Sequence, residues 1–179
     1  SVADFEMKQG EVMKFTLKYA PSHHAEVPFP EPHEALEATE LFWTEWIAKA
    51  REVPWPRAVI RSLITLRALI YAPTGGIIAA PTTSLPEFLG GARNWDYRFC
   101  WLRDGTLTRL ALMDAGFYDE ACAWRDWLLR AVAGSPSQIQ IMYGVAGERR
   151  LMEWEVDWLP GYDGAKPVRV GNGAHGQLQ

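Results

Sequence analysis

The period of the apolar residues changes once along this chain, and that change limits what it can fold into. Near the start, Met13, Phe15, Leu17 and Tyr19 alternate with Val12, Lys14, Thr16 and Lys18, the period of two that a strand requires. Lys8-Gln9-Gly10-Glu11 reads as a turn, so residues 2–19 are expected to form a β-hairpin. A lone hairpin is marginal in water, which places it in a sheet with further strands. From Pro21 to Pro32 the composition shifts to His, Pro and Glu, as in a linker. His23 and His24 lie there without a third ligand and read as loop residues rather than a metal site.

Helical periodicity then takes over. Glu34 to Arg51 carries Leu36, Trp43, Ile47 and Ala50 on one side, with Glu34, Glu37 and Glu40 early, where acids suit the positive helix end. A second helix over about residues 55–71 has Pro56 in its first turn and an apolar stripe of Val59, Leu63, Leu66 and Ile70. Residues 72–94 read as irregular. A third helix is expected from near Asp104 to a left-handed cap at Gly116, and a fourth from about Asp119 to Ala133, packed through Trp124, Trp127, Leu128 and Ala131. Glu148–Trp158 is expected to be helical, with Glu148, Glu153, Glu155 and Asp157 on a solvated face. Strands followed by helices, with the strand part incomplete, point to a portion of a larger protein.

Composition removes several classes of function. Eighteen Lys and Arg stand against 22 Asp and Glu, a net charge of −4, with no basic patch for nucleic acid. No apolar run approaches the roughly 18 residues of a membrane-spanning helix. Cys100 and Cys122 lack CxxC spacing, so neither a disulfide framework nor zinc is indicated, and both read as small buried apolar residues. Of the nine tryptophans, Trp43/Trp46, Trp124/Trp127 and Trp154/Trp158 have helix-face spacing and are expected in the core. Trp95 and Trp101 instead fall in a stretch rich in Gly and Asp, where flat rings could stack on sugars.

That stretch, Gly90 to Asp104, holds four aromatics, three arginines and two aspartates. Rings for stacking and charged groups for hydroxyls make a pocket edge, because each sugar hydroxyl both donates and accepts. In isolation Asp104 would read as a helix N-cap and Arg103 as a surface residue. The wording "GGARNWDYRFCWLRDGTLTRLALMDAGFYDEACAW" closely resembles the start of the catalytic domain of glycoside hydrolase family 15, the glucoamylases and related enzymes. "YAPTGGIIAAPTTSLPE", "IMYGVAGERRL" and "GYDGAKPVRVGNGAHGQLQ" resemble its bacterial and archaeal branch, in the same order.

The resemblance implies a mainly α fold, the first part of an (α/α)6 toroid preceded by strands of a β-sandwich and a linker helix. Residues 1–20 would be terminal strands of the sandwich, 21–53 the linker with its helix, and 54–179 the N-terminal part of the barrel. By resemblance, Arg103 and Asp104 of the Trp-x-Arg-Asp element bind hydroxyls of a terminal glucose, and Tyr97 and Trp101 wall the pocket. Lys166 and Arg169 match a second substrate-facing segment, and Gly164 stands where fungal members carry a Trp. The implied activity is inverting release of glucose from the non-reducing end of α-glucosidic oligosaccharides, with trehalose cleavage as the alternative within the family. A non-catalytic sugar-binding role is the reading should the chain be complete.

Inversion needs two carboxyl groups roughly 6.5–9.5 Å apart. The family's two glutamates have no match in residues 1–179 and are expected beyond Gln179. The expected partner is an α-glucan or trehalose, with no cofactor, metal, nucleic acid or membrane. Unfilled faces of a half toroid would favour self-association. Gly171-Asn172-Gly173-Ala174-His175-Gly176 fits G-x-G-x-x-G, but a dinucleotide site also needs a following helix and an acidic residue about twenty positions on.

Overall fold

The computed structural model describes residues 2–20, 22–23, 28–52 and 54–177, with His175 and Gly176 described by backbone alone. The linker reading at residues 24–27 lies outside the described residues. The chain divides into two compact units, Ser1–Ala48 and Lys49–Gln179.

In the first unit the turn forms where the sequence puts it: the Glu11 amide donates to the Lys8 carbonyl at 3.1 Å. The Phe5 and Phe15 rings meet across it, 5.4 Å between centroids. The flanking segments are extended, with no strand ladder among the described residues. Helix α1, Pro32–Ile47, begins at a proline whose missing N–H costs nothing there. Glu31 caps it by accepting from the His33 and Glu34 amides. Lys14 pairs with the same carboxylate, and this hydrogen bond leads the causes that hold the Glu31 carboxyl below its ordinary range. Trp46 is buried and meets Trp43 edge-on, while Leu36 and Leu41 stay exposed.

The second unit holds helices α2 (Pro56–Ala68), α3 (Leu102–Asp114) and α4 (Tyr118–Ala131) with six two-residue strands, and the molecule is mainly helical. Strand β1, Ile70–Tyr71, turns back on β2, Gly76–Ile77. Gly75 closes that turn at φ +83, where a Cβ would lie 2.5 Å from the Ala123 carbonyl oxygen. Beyond β2 the chain runs beside residues 95–101: the amides of Ala79, Ala80 and Ser84 donate to the carbonyls of Phe99, Tyr97 and Trp95. Strand β3, Cys100–Trp101, then pairs antiparallel with β4, Met142–Tyr143. Farther on, β5, Trp154–Glu155, pairs with β6, Arg169–Val170.

Ile77, Cys100, Trp124, Trp127, Ala131 and Tyr143 make the main core cluster. Trp124 and Trp127 stack at 4.6 Å, and the Trp127 indole N–H donates to the Val145 carbonyl, so the buried ring has no unmet donor. Trp101, Met142 and Leu151 form a second cluster under Tyr97 and Phe99.

Four expectations need correction. Helix α3 starts at Leu102, so Trp101 is its N-cap position and Asp104 lies in its first turn. Strand β3 runs directly into the helix, and β4's neighbour Ile141 accepts the Leu102 amide at 3.0 Å, which relieves one orphan donor without a side-chain cap. Residues 148–158 are not helical but extended through β5. Their acids at positions 153 and 155 share a strand face, and both reach Arg169. Trp154 and Trp158 are consequently outside the core, 54% and 80% exposed. Cys122 is exposed and only Cys100 is buried. Separately, the Gly-rich segment forms a four-residue 3-10 turn, Gly173–Gly176. Among the described residues no helix is long and apolar enough to cross a membrane.

Two outcomes follow from this packing. A Cβ on Gly105 would lie 2.7 Å from the Trp124 ring, the residue by which α3 approaches α4. Gly105→Ala gains about 1 kcal/mol of helix propensity and loses roughly 1–3 kcal/mol to overpacking. A lower urea midpoint at unchanged slope is the expected result. Burial, with Glu148 nearby, pushes the Cys100 thiol up to about 12. Thiol labelling at pH 8 should therefore find Cys122 promptly and Cys100 only after denaturation.

Candidate functional site

The site is organised by Asp96, which is fully buried. An isolated carboxylate would not survive there, so its partners matter. Arg98 grips it with Nε on Oδ1 at 2.9 Å and Nη2 on Oδ2 at 2.8 Å, the two-point geometry that makes such pairs strong. The Arg98 amide adds a bond to Oδ1, and the Gly171 amide donates to Oδ2 at 3.1 Å. Hydrogen bonding to Asp96 raises the Arg98 guanidinium above its ordinary value, so it stays charged throughout the working range. Asn172 completes the tie by donating its side-chain amide to the Asp96 carbonyl at 2.9 Å.

Trp95, Tyr97 and Trp101 from one segment and Asn172, Gly173 and Ala174 from the other are thereby brought to line a cleft of about 440 Å³. Trp95, Tyr97 and Trp101 supply rings, and Arg93, Glu153 and Asn172 supply polar groups. Tyr97 and Trp101 sit 5.9 Å apart and tilted by 47°, giving an angled aromatic surface. Burial, reinforced by the Glu87 charge, raises the Tyr97 phenol, which therefore remains a neutral donor.

The remaining sequence candidates occupy distinct places. Arg103 and Asp104 project from the first turn of α3, paired at 3.0 Å, with side chains 62% and 38% exposed. They are not among the residues lining the cleft. Lys166 is exposed and donates to the Asp157 carbonyl at 3.2 Å. Arg169 turns inward: its guanidinium lies 4.6 Å from the Trp95 ring, donates to the Ala92 and Asn94 carbonyls, and faces Glu153 and Glu155. Sequence reasoning missed Asp96, Glu153 and Asn172 as site residues. Asp96 was visible inside the dense 90–104 stretch, and the alternation of Glu153 with Glu155 was a strand signal.

The cleft thus brings aromatic faces together with a carboxylate and backbone amides. The sequence comparisons identify the family. Residues 56–179 match the model for "Glycosyl hydrolases family 15", and the chain belongs to that family. It is similar to a protein named trehalase from Mycolicibacterium smegmatis, 42% identical over 178 residues, covering 97% of this chain and 26% of the relative. A trehalase from Mycobacterium tuberculosis is 39% identical with the same two coverages. "Trehalase 2" of Sulfolobus acidocaldarius is 39% identical over 153 residues, 84% of this chain and 27% of that protein. The chain thus spans about a quarter of the length of the curated relatives it matches. No solved structure matches it significantly.

Asp96→Ala removes a charge-assisted pair and leaves the Gly171 amide without its acceptor, a loss of about 3 kcal/mol. Asp96→Asn keeps the shape but sets an Nδ2 donor against two of the donors that Asp96 accepts from, so its cost should be no smaller. Denaturant titration of the two variants checks the order.

Proposed function

We propose that this chain supplies part of the substrate site of an inverting α-glucosidase of family 15 whose substrate is trehalose. The observation that carries the choice of sugar is the similarity, at 39–42% identity across nearly the whole chain, to proteins named trehalase. That favours the alternative over the glucoamylase-type activity which the motifs alone had placed first.

In this reading Tyr97 and Trp101 stack against a glucose ring, burying its apolar face, and the Tyr97 hydroxyl and neighbouring polar groups meet its hydroxyls. Arg103 and Asp104, at the exposed start of α3, and the exposed Lys166 ammonium lie outside the cleft lining, and in this reading they meet sugar hydroxyls beyond the stacked ring. Two carboxyl groups outside residues 1–179 perform the chemistry. One protonates the glycosidic oxygen, and the other activates water on the opposite face of the ring. The walls contributed by this chain hold the anomeric carbon between them, so that proximity rather than acid strength is their contribution.

Stereochemistry and substrate choice together test the proposal in the full-length protein. Inverting cleavage of trehalose, in which both anomeric carbons are α, releases one β-glucose and one α-glucose. Proton NMR of the first turnovers should show the two anomers in equal amounts. Two α-anomers would mean retention, and release from maltose but not trehalose would restore the glucoamylase reading. Arg103→Ala and Asp104→Asn should each lower kcat/KM by about 10- to 100-fold with little change in melting temperature, since charged hydrogen bonds are worth about 1.5–3 kcal/mol.

A further inference from the structure

The two arginines nearest the cleft are both committed. Arg93 lines the cleft, but it pairs with Glu87 at 3.2 Å and its side chain is 75% exposed. Arg169 is only 12% exposed, and its guanidinium is shared among two backbone carbonyls, two carboxylates and the face of Trp95. Glu153 differs from both. Its side chain lines the cleft and keeps 27% of its surface accessible. Each of its oxygens has one protein neighbour, Oε1 facing Arg169 at 3.3 Å and Oε2 accepting the Gly173 amide at 3.0 Å. A carboxylate oxygen accepts two hydrogen bonds, so both retain capacity on the cleft side. Those two fixed neighbours also lock the rotamer, which spares the entropy that a long side chain otherwise loses on binding.

We propose that Glu153 is a substrate-binding residue that accepts a sugar hydroxyl in this cleft, and that Arg169 is a positioning residue acting through it. The inference rests on the reading of the cleft as the sugar site and deepens it. The lining supplies the reason: stacking on Tyr97 and Trp101 by itself would leave a sugar free to turn about its ring normal, and among the described lining residues Glu153 is the one carboxylate placed to restrain it. One charged acceptor at the edge removes that freedom, and the charge makes its bond stronger than a neutral one. Arg169 reaches the sugar only through what it holds, the Glu153 carboxylate on one side and the Trp95 loop on the other.

The test pairs Glu153→Gln with trehalose analogues that each lack one hydroxyl, in the full-length protein. In the parent enzyme, deleting the hydroxyl that Glu153 accepts should raise KM about tenfold. In Glu153→Gln the same deletion should cost less than twofold, with KM for trehalose itself raised about tenfold and kcat little changed. A carboxylate that only braces Arg169 would instead give the same penalty for every analogue in parent and variant, and that result overturns the proposal. Glu153→Asp, which keeps the charge but withdraws it by one methylene, gives the same comparison should the Gln variant fold poorly. Arg169→Lys, acting through Glu153, should raise KM for trehalose and for every analogue except the one that lacks the hydroxyl Glu153 accepts. Tyr97→Ala reports on the underlying reading. Should it raise KM while Glu153→Gln shows no analogue-specific effect, the cleft binds sugar and Glu153 does not. Should both leave KM unchanged, the cleft is not the sugar site and the inference falls with it.

Discussion

The bond network around the Asp96 carboxylate is the constraint on which the cleft depends. Three segments distant in sequence meet there. The Asp96 carboxylate takes Arg98 from its own loop and the Gly171 amide from 75 residues on, while the backbone at Asp96 pairs with that at Thr83, in the segment after β2, as a single β-bridge. Ser84 and Thr83 then reach across to the backbone of Arg169, Ser84 Oγ accepting its amide at 2.6 Å and Thr83 Oγ donating to its carbonyl at 2.6 Å. A buried charge is tolerable only when such partners are all present, so each segment is held by the need to satisfy the others. The alternation of the extended chain then sends Asp96 inward and Tyr97 toward the cleft. The aromatic wall is in this sense a by-product of the buried carboxylate.

Much of the helical frame was legible because its signals are local. Pro56 at a helix start, Gly116 as a left-handed stop at φ +96, and Trp124 and Trp127 on one face each act within a turn or two of chain. The start of α3 was not legible, because its first amide is satisfied by Ile141, some forty residues away, and no side chain caps it. The same holds for residues 148–158. Their charges fit a helix face as well as a strand, and only the distant Arg169, whose strand β6 pairs with β5, decides between the two. Long-range pairing is invisible to a reading of neighbours.

The site divides along the same line. Tyr97 and Trp101 could be picked out from one dense motif, and they do come together in the cleft. Arg169 could be picked out as a charged residue but not assigned a direction, since its stacking on Trp95 and its bonds to Ala92 and Asn94 depend on a loop 75 residues earlier. Glu153 reads from sequence as a solvated acid for the complementary reason. Its neighbour Gly173 lies twenty residues on, and its accessible surface faces a cleft rather than bulk solvent.

This placement of charge also bears on the chemistry. Among the described residues the cleft lining contains a single carboxylate, Glu153. One carboxylate can orient a sugar, but inversion requires an acid and a base on opposite faces of the ring, roughly 6.5–9.5 Å apart. A residue whose two oxygens already face a guanidinium and a backbone amide is built to hold position, whereas a general acid must exchange its proton with the leaving oxygen. In the proposed reading the cleft is therefore a recognition surface: rings for the sugar face, an anchored acceptor for its edge, and a buried Asp96–Arg98 pair beneath. In the proposed enzyme the reacting carboxyls act on a glucose whose orientation these walls have already fixed, and a misplacement of either wall by an ångström would be felt at the anomeric carbon.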